Sequence, residues 1–320
     1  MSVSETSVGI IGTGSVGASV AVSLLMAGVT KELLLHDKDE QRAIGEAMDL
    51  AHGSSFYPSA TVRAVDLAAM LSTELVIITA GRNGKADESR LDLLKDNVGI
   101  MQAIAANFTD YKGLVIIVSN PVDVLTYAFQ QASGLPPERV IGTGTMLDTA
   151  RLRQILGREL NLDPRSIHAQ IIGEHGDSEV ALWSSARLGG TLLRHWENWT
   201  TAKEAEVTEA VRTAAYQIIQ KKGATNHAIG LVTATLVKWL LRGDRRILTV
   251  SRVQTGIFGW HNFAISLPTI VSRTGAVTVL EPALDDYERT ALNQSAAVIC
   301  QAIASVKTLP QLPRVDETEK

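Results

Sequence analysis

Ser7-Val8-Gly9-Ile10-Ile11-Gly12-Thr13-Gly14-Ser15-Val16-Gly17 decides the fold. A short β-type run ends at Ile11, three glycines follow in the order GxGxxG, and an apolar helical segment continues to Ala27. Strand, tight turn and helix start in that order let the backbone approach a pyrophosphate, and the helix N-terminus supplies N–H groups and a positive dipole end. A second strand, Leu33-Leu34-Leu35-His36-Asp37, ends in an acid twenty positions after Gly17. An acid there accepts hydrogen bonds from an adenosine ribose and repels a 2′-phosphate, which points to NAD rather than NADP. The alternative reading of Asp37 is an ordinary strand-end turn residue.

The same rhythm continues downstream. Residues 75–80 and 114–119 read as apolar strands, separated by helical stretches at 92–108 and 121–133. Alternating strands and helices imply a parallel sheet covered on both faces, with ligands beyond the carboxyl ends of its strands. Ala80-Gly81 and Asn120-Pro121 therefore point at one crevice, where Asn120 offers an amide; locally it reads equally well as a turn residue before proline. Residues 81–90 are polar and glycine-bearing, too long for a tight turn, and read as a mobile lid that carries Arg90 over a substrate carbonyl.

Gly142-Thr143-Gly144-Thr145 introduces a helix over 146–160 carrying Asp148, Arg151 and Arg153. Asp148 and Arg151 are three apart and share a face, while Arg153 projects roughly the opposite way. A guanidinium on the first face can grip a carboxylate with two parallel hydrogen bonds, or simply form a surface ion pair. A short strand over 168–172 leads into Gly173-Glu174-His175-Gly176-Asp177. A histidine between glycines and carboxylates has room for a substrate and titrates near neutral pH, so His175 is the candidate acid/base.

The second half mixes classes: a tryptophan-rich patch (Trp183, Trp196, Trp199) expected in the core or at an interface, a long helix over 202–222, a further apolar helix, and strands over 249–255 and 264–271. A dinucleotide-binding domain over 1–144 followed by an α+β substrate domain over 145–320 is the expected organisation. Residues 308–320 read as a loose tail.

Composition narrows the function classes. At 320 residues and 45% hydrophobic, the chain can bury one large core or two lobes. A net charge of -4 gives no attraction to nucleic acid, and no apolar run is long enough to span a membrane. The polar start lacks a signal-peptide pattern, and the single cysteine, Cys300, lies in an apolar helical pattern; both fit a reducing cytoplasm. Zinc-site spacings are missing, so no metal is expected.

Taken together, these motifs resemble the L-lactate/malate dehydrogenase family across nearly the whole chain, the bacterial lactate branch more than the malate one. The resemblance rests on Gly12 to Gly17, Asp37, Ala43-Ile44-Gly45-Glu46-Ala47-Met48-Asp49-Leu50, Glu88-Ser89-Arg90-Leu91-Asp92-Leu93, Ser119-Asn120-Pro121-Val122-Asp123, Leu147-Asp148-Thr149-Ala150-Arg151, the His175 segment and Lys222-Gly223-Ala224-Thr225. It implies a Rossmann half followed by an α+β half, NAD as cofactor, a 2-oxo or 2-hydroxy acid as substrate, and a homo-oligomer, tetramer favoured, acting in glycolysis. It implies His175 as proton donor and acceptor, Asp148 as its orienting carboxylate, Arg151 on the substrate carboxylate and Arg90 on the ketone. Asn120 stands beside Arg90, and Thr225 and Ile229 line the substrate and nicotinamide side. Gly12, Gly14, Gly17 and Asp37 hold the rest of the cofactor.

One position departs from the pattern. Six residues before Arg90, where related lactate dehydrogenases carry glutamine and malate dehydrogenases arginine, this chain has Gly84. A second substrate carboxylate then lacks its partner, which disfavours malate unless Arg82 or Lys85 reaches in. The space freed next to the substrate's C3 substituent implies tolerance of bulkier 2-oxo acids. Arg153 and His168 match positions that bind fructose 1,6-bisphosphate between subunits in related bacterial enzymes. A non-catalytic NAD-binding protein on the same fold is the remaining alternative.

Overall fold

The computed structural model describes residues 6–82, 84 and 88–310. The first half comprises β1 (Ser7–Ile11), α1 (Ser15–Met26), β2 (Glu32–His36), α2 (Glu40–His52), β3 (Thr61–Ala64), β4 (Leu75–Ile78), α3 (Arg90–Ala105), β5 (Leu114–Ile117), α4 (Val122–Ser133) and β6 (Val140–Gly142). The second half follows as α5 (Met146–Leu160), β7 (Ile167–His168), β8 (Ile171–Ile172), β9 (Val180–Ala181), β10 (Arg187–Leu188), β11 (Thr191–Leu192), α6 (Thr201–Lys222), α7 (His227–Arg242), β12 (Arg246–Thr255), β13 (His261–Ser272), β14 (Gly275–Val279) and α8 (Asp286–Ala304).

The principal sheet runs β14-β13-β12-β6-β5-β4-β1-β2-β3. Its first-half strands are parallel, and their order reverses between β1 and β4. Such a reversal splays the flanking connections apart and leaves a crevice at the carboxyl ends of those strands. Leu75, Val76, Ile77 and Ile78 are fully buried, as strands covered on both faces must be, each side chain contributing about 1.5–3 kcal/mol. The antiparallel strands of the second half extend this same sheet, joined where Ser251 of β12 pairs with Gly142 of β6.

α7 docks on α1. A Cβ at Gly230 would lie 2.7 Å from the Ser19 carbonyl oxygen, so only glycine permits the two helices to approach this closely. Asn226 adds a hydrogen bond from its amide to Ser19 Oγ at 2.8 Å. This contact brings the N-terminus of α7 over the nucleotide-binding turn.

Three expectations change in detail. The single strand over 168–172 is two two-residue strands in different sheets: β7 pairs with β10 and β8 with β9. Two short strands that pair with distant partners cannot be told from one strand by local pattern. Arg90 opens helix α3, with Ser89 as its N-cap accepting from Asp92 N, instead of riding at the far end of a loop. The tail begins packed: Leu309 is buried, and Gln102 Nε2 donates to the Thr308 carbonyl at 3.2 Å. Residues 311–320, Asn83 and residues 85–87, and with them Lys85 and the middle of the expected lid, lie outside the described residues. Among those described, no helix is long and apolar enough to cross a membrane. Of the tryptophan-rich patch, the Trp183 and Trp199 rings pack together in a core cluster, whereas Trp196 is exposed.

Candidate functional site

The nucleotide-binding turn assigns each glycine a separate task. Gly12 has φ +98°, and a Cβ there would lie 2.7 Å from Ala80 N. At Gly17 a Cβ would sit 2.0 Å from the Gly12 carbonyl oxygen. At Gly14, by contrast, it would meet no atom within 4 Å, so this position faces open space. α1 starts at Gly14 with no side-chain cap and no acid in its first turn, whereas α2 and α3 are capped by Asp39 and Ser89. Uncapped N–H groups at a helix start beside an open glycine suit an anionic ligand.

Asp37 follows β2. Its Oδ2 accepts from Thr13 N at 2.7 Å and Thr13 Oγ1 at 3.2 Å, and Oδ1 accepts from Asp39 N at 3.1 Å. Partial burial works against its charge, but these donors outweigh it and lower the carboxyl below its ordinary range. Asp37 is thus ionised and fixed to the glycine turn at neutral pH. A cleft of about 530 Å³ begins at Ser15 and Val16 of α1, next to the glycine turn, and runs past Thr79, Gly81, Asn120, Gly223 and Thr225.

Next to that cleft lies a smaller cavity of about 140 Å³ containing His175, Arg151, Asn120 and Thr225, walled by apolar residues including Leu147 and Ile229. Asn120, Thr225, Val16, Val118 and Ile219 line both spaces, so the two are continuous. His175 Nδ1 lies 2.5 Å from Asp148 Oδ2, and Arg151 Nη1 donates to Asp148 Oδ1 at 2.7 Å. Nδ1 is committed to the carboxylate, which leaves Nε2 for a ligand. The Asp148 side chain is only 3% exposed, and its charge is sustained by two cationic partners.

The electrostatics favour a charged imidazole. Burial is the strongest influence on His175 and lowers its proton affinity, but the charge and hydrogen bond of Asp148, with Asp123 in support, push it up to about 9. Burial likewise works against the Asp148 carboxylate, and His175 and Arg151 override it and hold the group below its ordinary value.

Local stitching explains why Asp148 and His175 meet. Thr145 Oγ1 donates to the Ile171 carbonyl at 2.6 Å, and Ile171 N donates to Thr149 Oγ1 at 2.9 Å, tying the first turn of α5 to β8. The loop after β8 is then pinned from three sides: Gly173 exchanges hydrogen bonds with Ser266 of β13, Glu174 N donates to Ser295 Oγ of α8 at 2.7 Å, and His175 N donates to Asp123 Oδ2 of α4 at 2.8 Å. Asp123 also accepts from Ser251 Oγ at 2.6 Å. Burial raises its carboxyl to about 6 against the pull of both donors. Reasoning from sequence singled out neither Asp123 as a site residue nor Ser251 and Ser295. An aspartate in the first turn of a helix is ordinary dipole compensation, and its partner Ser251 is 128 positions away.

The remaining predicted residues are distributed as follows. Arg90 is exposed and lines neither cavity, although its charge acts on Tyr216 of α6, whose hydroxyl donates to Asp177 at 2.9 Å. Gly84 lines the larger cleft, where a Cβ would come within 3.2 Å of Leu93 Cδ2. Arg82 is held by both Glu88 oxygens and by Asp96 Oδ2, with Nε at 2.8 Å from the latter, so its guanidinium is already occupied. Asn97 joins this segment to the crevice, accepting from Arg82 N at 2.9 Å and donating to the Asn120 carbonyl at 3.4 Å. Arg153 points away from His175, as the helix-face argument required. It donates from Nε to the Ala169 carbonyl at 2.9 Å and lines a separate cleft of about 350 Å³ with Trp239 and Leu231. His168 is exposed on β7. No cluster of potential metal ligands occurs among the described residues.

Comparison with known proteins gives consistent matches. The family model for the lactate/malate dehydrogenase NAD binding domain matches residues 6–142, and that for the lactate/malate dehydrogenase alpha/beta C-terminal domain matches 145–309. The chain is 42% identical over 301 residues to the L-lactate dehydrogenase of Synechococcus sp. (strain JA-3-3Ab), covering 93% of this chain and 98% of that one. It is 42% identical over 306 residues to the L-lactate dehydrogenase of Bacillus caldolyticus, covering 93% and 96%. Among solved structures, the minor L-lactate dehydrogenase of Enterococcus mundtii superposes with a TM-score of 0.92 at 36% identity, covering 95% of this chain and 99% of that one.

Proposed function

The chain belongs to the lactate/malate dehydrogenase family, matched in both halves, and on that premise we propose that it is an NAD-dependent L-2-hydroxyacid dehydrogenase of the lactate type. It reduces pyruvate, or a bulkier 2-oxo monocarboxylate, to the L-2-hydroxy acid and runs the reverse reaction. The observation that carries this reading is the convergence of His175 and Arg151, both bonded to the buried Asp148, on one small cavity continuous with a cleft that begins at the start of α1.

The nucleotide-binding turn at the edge of the cleft fits NAD: an open position at Gly14, an uncapped helix start and an ionised Asp37. The cofactor, when bound, supplies or accepts the hydride at the substrate's C2. Arg151 clamps the substrate carboxylate and so fixes which carbonyl face is presented. His175 Nε2 donates its proton to the carbonyl oxygen as C2 gains the hydride, leaving a neutral imidazole that Asp148 keeps oriented. Asn120 hydrogen-bonds near the same oxygen, Thr225 and Ile229 shape the wall, and Arg90 at the start of α3 is the cation assigned to polarise the carbonyl. The apolar wall excludes water from the transfer.

Among the described residues, Arg151 and His175 are the only cations lining the smaller cavity. A second carboxylate therefore finds no partner there, and Arg82 is engaged by Glu88 and Asp96, which supports a monocarboxylate. NADH oxidation with pyruvate, oxaloacetate, phenylpyruvate and 4-methyl-2-oxopentanoate tests the substrate class. Pyruvate is expected to exceed oxaloacetate at least ~100-fold in kcat/KM, the scale of one unpaired charge. The bulkier acids should retain activity, with burial of an added side chain next to Gly84 contributing about 1.5–3 kcal/mol. A lead for oxaloacetate makes this a malate dehydrogenase; NADH binding without turnover of any 2-oxo acid makes it a non-catalytic binder. Repeating the pyruvate series with fructose 1,6-bisphosphate tests Arg153 and His168 as an anion site between subunits of a homo-oligomer, and unchanged saturation curves remove that role.

Cofactor choice follows from Asp37. Exchanging it for serine, Asp37→Ser, should weaken NADH by about 1.5–3 kcal/mol, a ~10- to ~150-fold rise in KM, through loss of a charge-assisted hydrogen bond to ribose. The same change should improve NADPH, since the charge opposing its 2′-phosphate is gone. An unaltered NADH to NADPH ratio would mean that Asp37 serves the turn alone.

A further inference from the structure

We propose that Glu179, with Arg212 as its counter-charge, is a positioning residue of the hydride-transfer site that sets how firmly His175 holds the proton it donates; this rests on the function proposed above. Glu179 lies four residues after His175, immediately before β9, and is 6% exposed. Its Oε1 is sealed from solvent without a hydrogen-bond partner among the described residues. Such a carboxyl costs stability unless its charge state is put to use.

Arg212 on α6 carries the complementary vacancy: its Nε is buried without a partner among the described residues, although Nη1 donates to Glu209 at 3.0 Å. Both side chains line a cavity of about 830 Å³ that shares no residue with the substrate cavity. The other arginine in that cavity, Arg194, is committed to Glu204 and Asp285, which leaves Arg212 as the cation for Glu179. The groups that act on Glu179 are Asp148 and Arg151 of α5, His175 on its own loop, and Arg212 of α6; Asp177, Glu209 and Glu288 line the same cavity.

Burial, reinforced by the Asp148 charge and opposed by the three cations, pushes the Glu179 carboxyl up to about 8. Glu179 therefore holds its proton well above the ordinary carboxylate range, into the same alkaline region where His175 releases its own. Once ionised, it adds negative charge within electrostatic reach of His175 and strengthens the ring's hold on its proton. Arg212 sits three and seven residues before Ala215 and Ile219, which wall the substrate cavity, so the seating of α6 bears on both the pocket and the proton.

The test uses the full chain with NADH and reads two quantities: the His175 titration midpoint by histidine side-chain NMR, and the alkaline limb of kcat/KM for pyruvate. Glu179→Gln should lower both midpoints by about half a pH unit or more, the scale of one charge acting across several ångströms of protein. Arg212→Gln should move them the same way, because an uncompensated Glu179 stays protonated to higher pH. The double variant should fall no further than Glu179→Gln alone, and Arg212→Gln carries the test should Glu179→Gln not fold. A His175 midpoint unmoved in the variants overturns the proposal, since a purely structural role lowers activity or stability without touching it. Absence of pyruvate turnover in the unaltered protein counts against the proposed function instead, and the NMR midpoint still decides this one.

Discussion

His175→Asn is expected to lower kcat/KM for pyruvate reduction by about 10²- to 10⁴-fold, the range contributed by a positioned general acid. Nδ1 of the ring is fixed on Asp148 at 2.5 Å and the ring borders the substrate cavity, so no other group described there can replace the proton delivered from Nε2. The pH profile carries the sharper expectation. Reduction requires the protonated ring, whose midpoint lies at about 9 in the unaltered protein. Its rate should therefore stay level through neutral pH and fall about tenfold per unit above that midpoint. Lactate oxidation requires the neutral ring and should rise over the same interval. In Asp148→Asn the attraction that outweighs burial is gone, so the limb should move to the ordinary imidazole value of 6.5 or below. A limb that stays near 9 in Asp148→Asn would mean that Asp148 is not what holds the proton.

Arg151→Gln is expected to cost about 2–5 kcal/mol in kcat/KM, roughly 30-fold to several thousand-fold, because it removes one member of a buried charge pair. Two losses combine. The substrate carboxylate enters a cavity whose only other cation among the described residues is His175, and Asp148 loses the 2.7 Å bond that helps keep it ionised. Methyl pyruvate separates the two. Lacking the carboxylate charge, it should be affected far less by the substitution than pyruvate is. Equal losses on acid and ester would assign Arg151 to Asp148 alone. Arg151→Lys should recover only part of the activity, since an ammonium cannot make two parallel bonds to a planar carboxylate.

Much of the cofactor half was legible because its signals are local. Gly12, Gly14 and Gly17 are spaced by the geometry of one turn, and Asp37 ends the neighbouring strand, so a single βαβ unit holds nearly all the information. The opposed faces of α5 were equally readable, since helical periodicity alone separates Asp148 and Arg151 from Arg153. Residues acting through long-range contacts were not. Asp123 reads as a helix-start acid until Ser251 and the His175 amide are seen on its two oxygens. Arg82 read as a cation free to reach the substrate until Glu88 and Asp96 were found on it.

By itself the sequence determined the class of fold, the nucleotide-binding turn and the residue types of the chemistry, because these depend on spacing within one or two adjacent elements. Tertiary structure alone decided that the second half continues the sheet of the first, that three distant elements hold the His175 loop, and that Glu179 is buried without a hydrogen-bond partner for Oε1 among the described residues. The physical reason is that burial and charge depend on what the rest of the chain brings alongside a side chain. The same glutamate on a solvated turn would be an ordinary ionised acid, whereas here desolvation makes its proton part of the site.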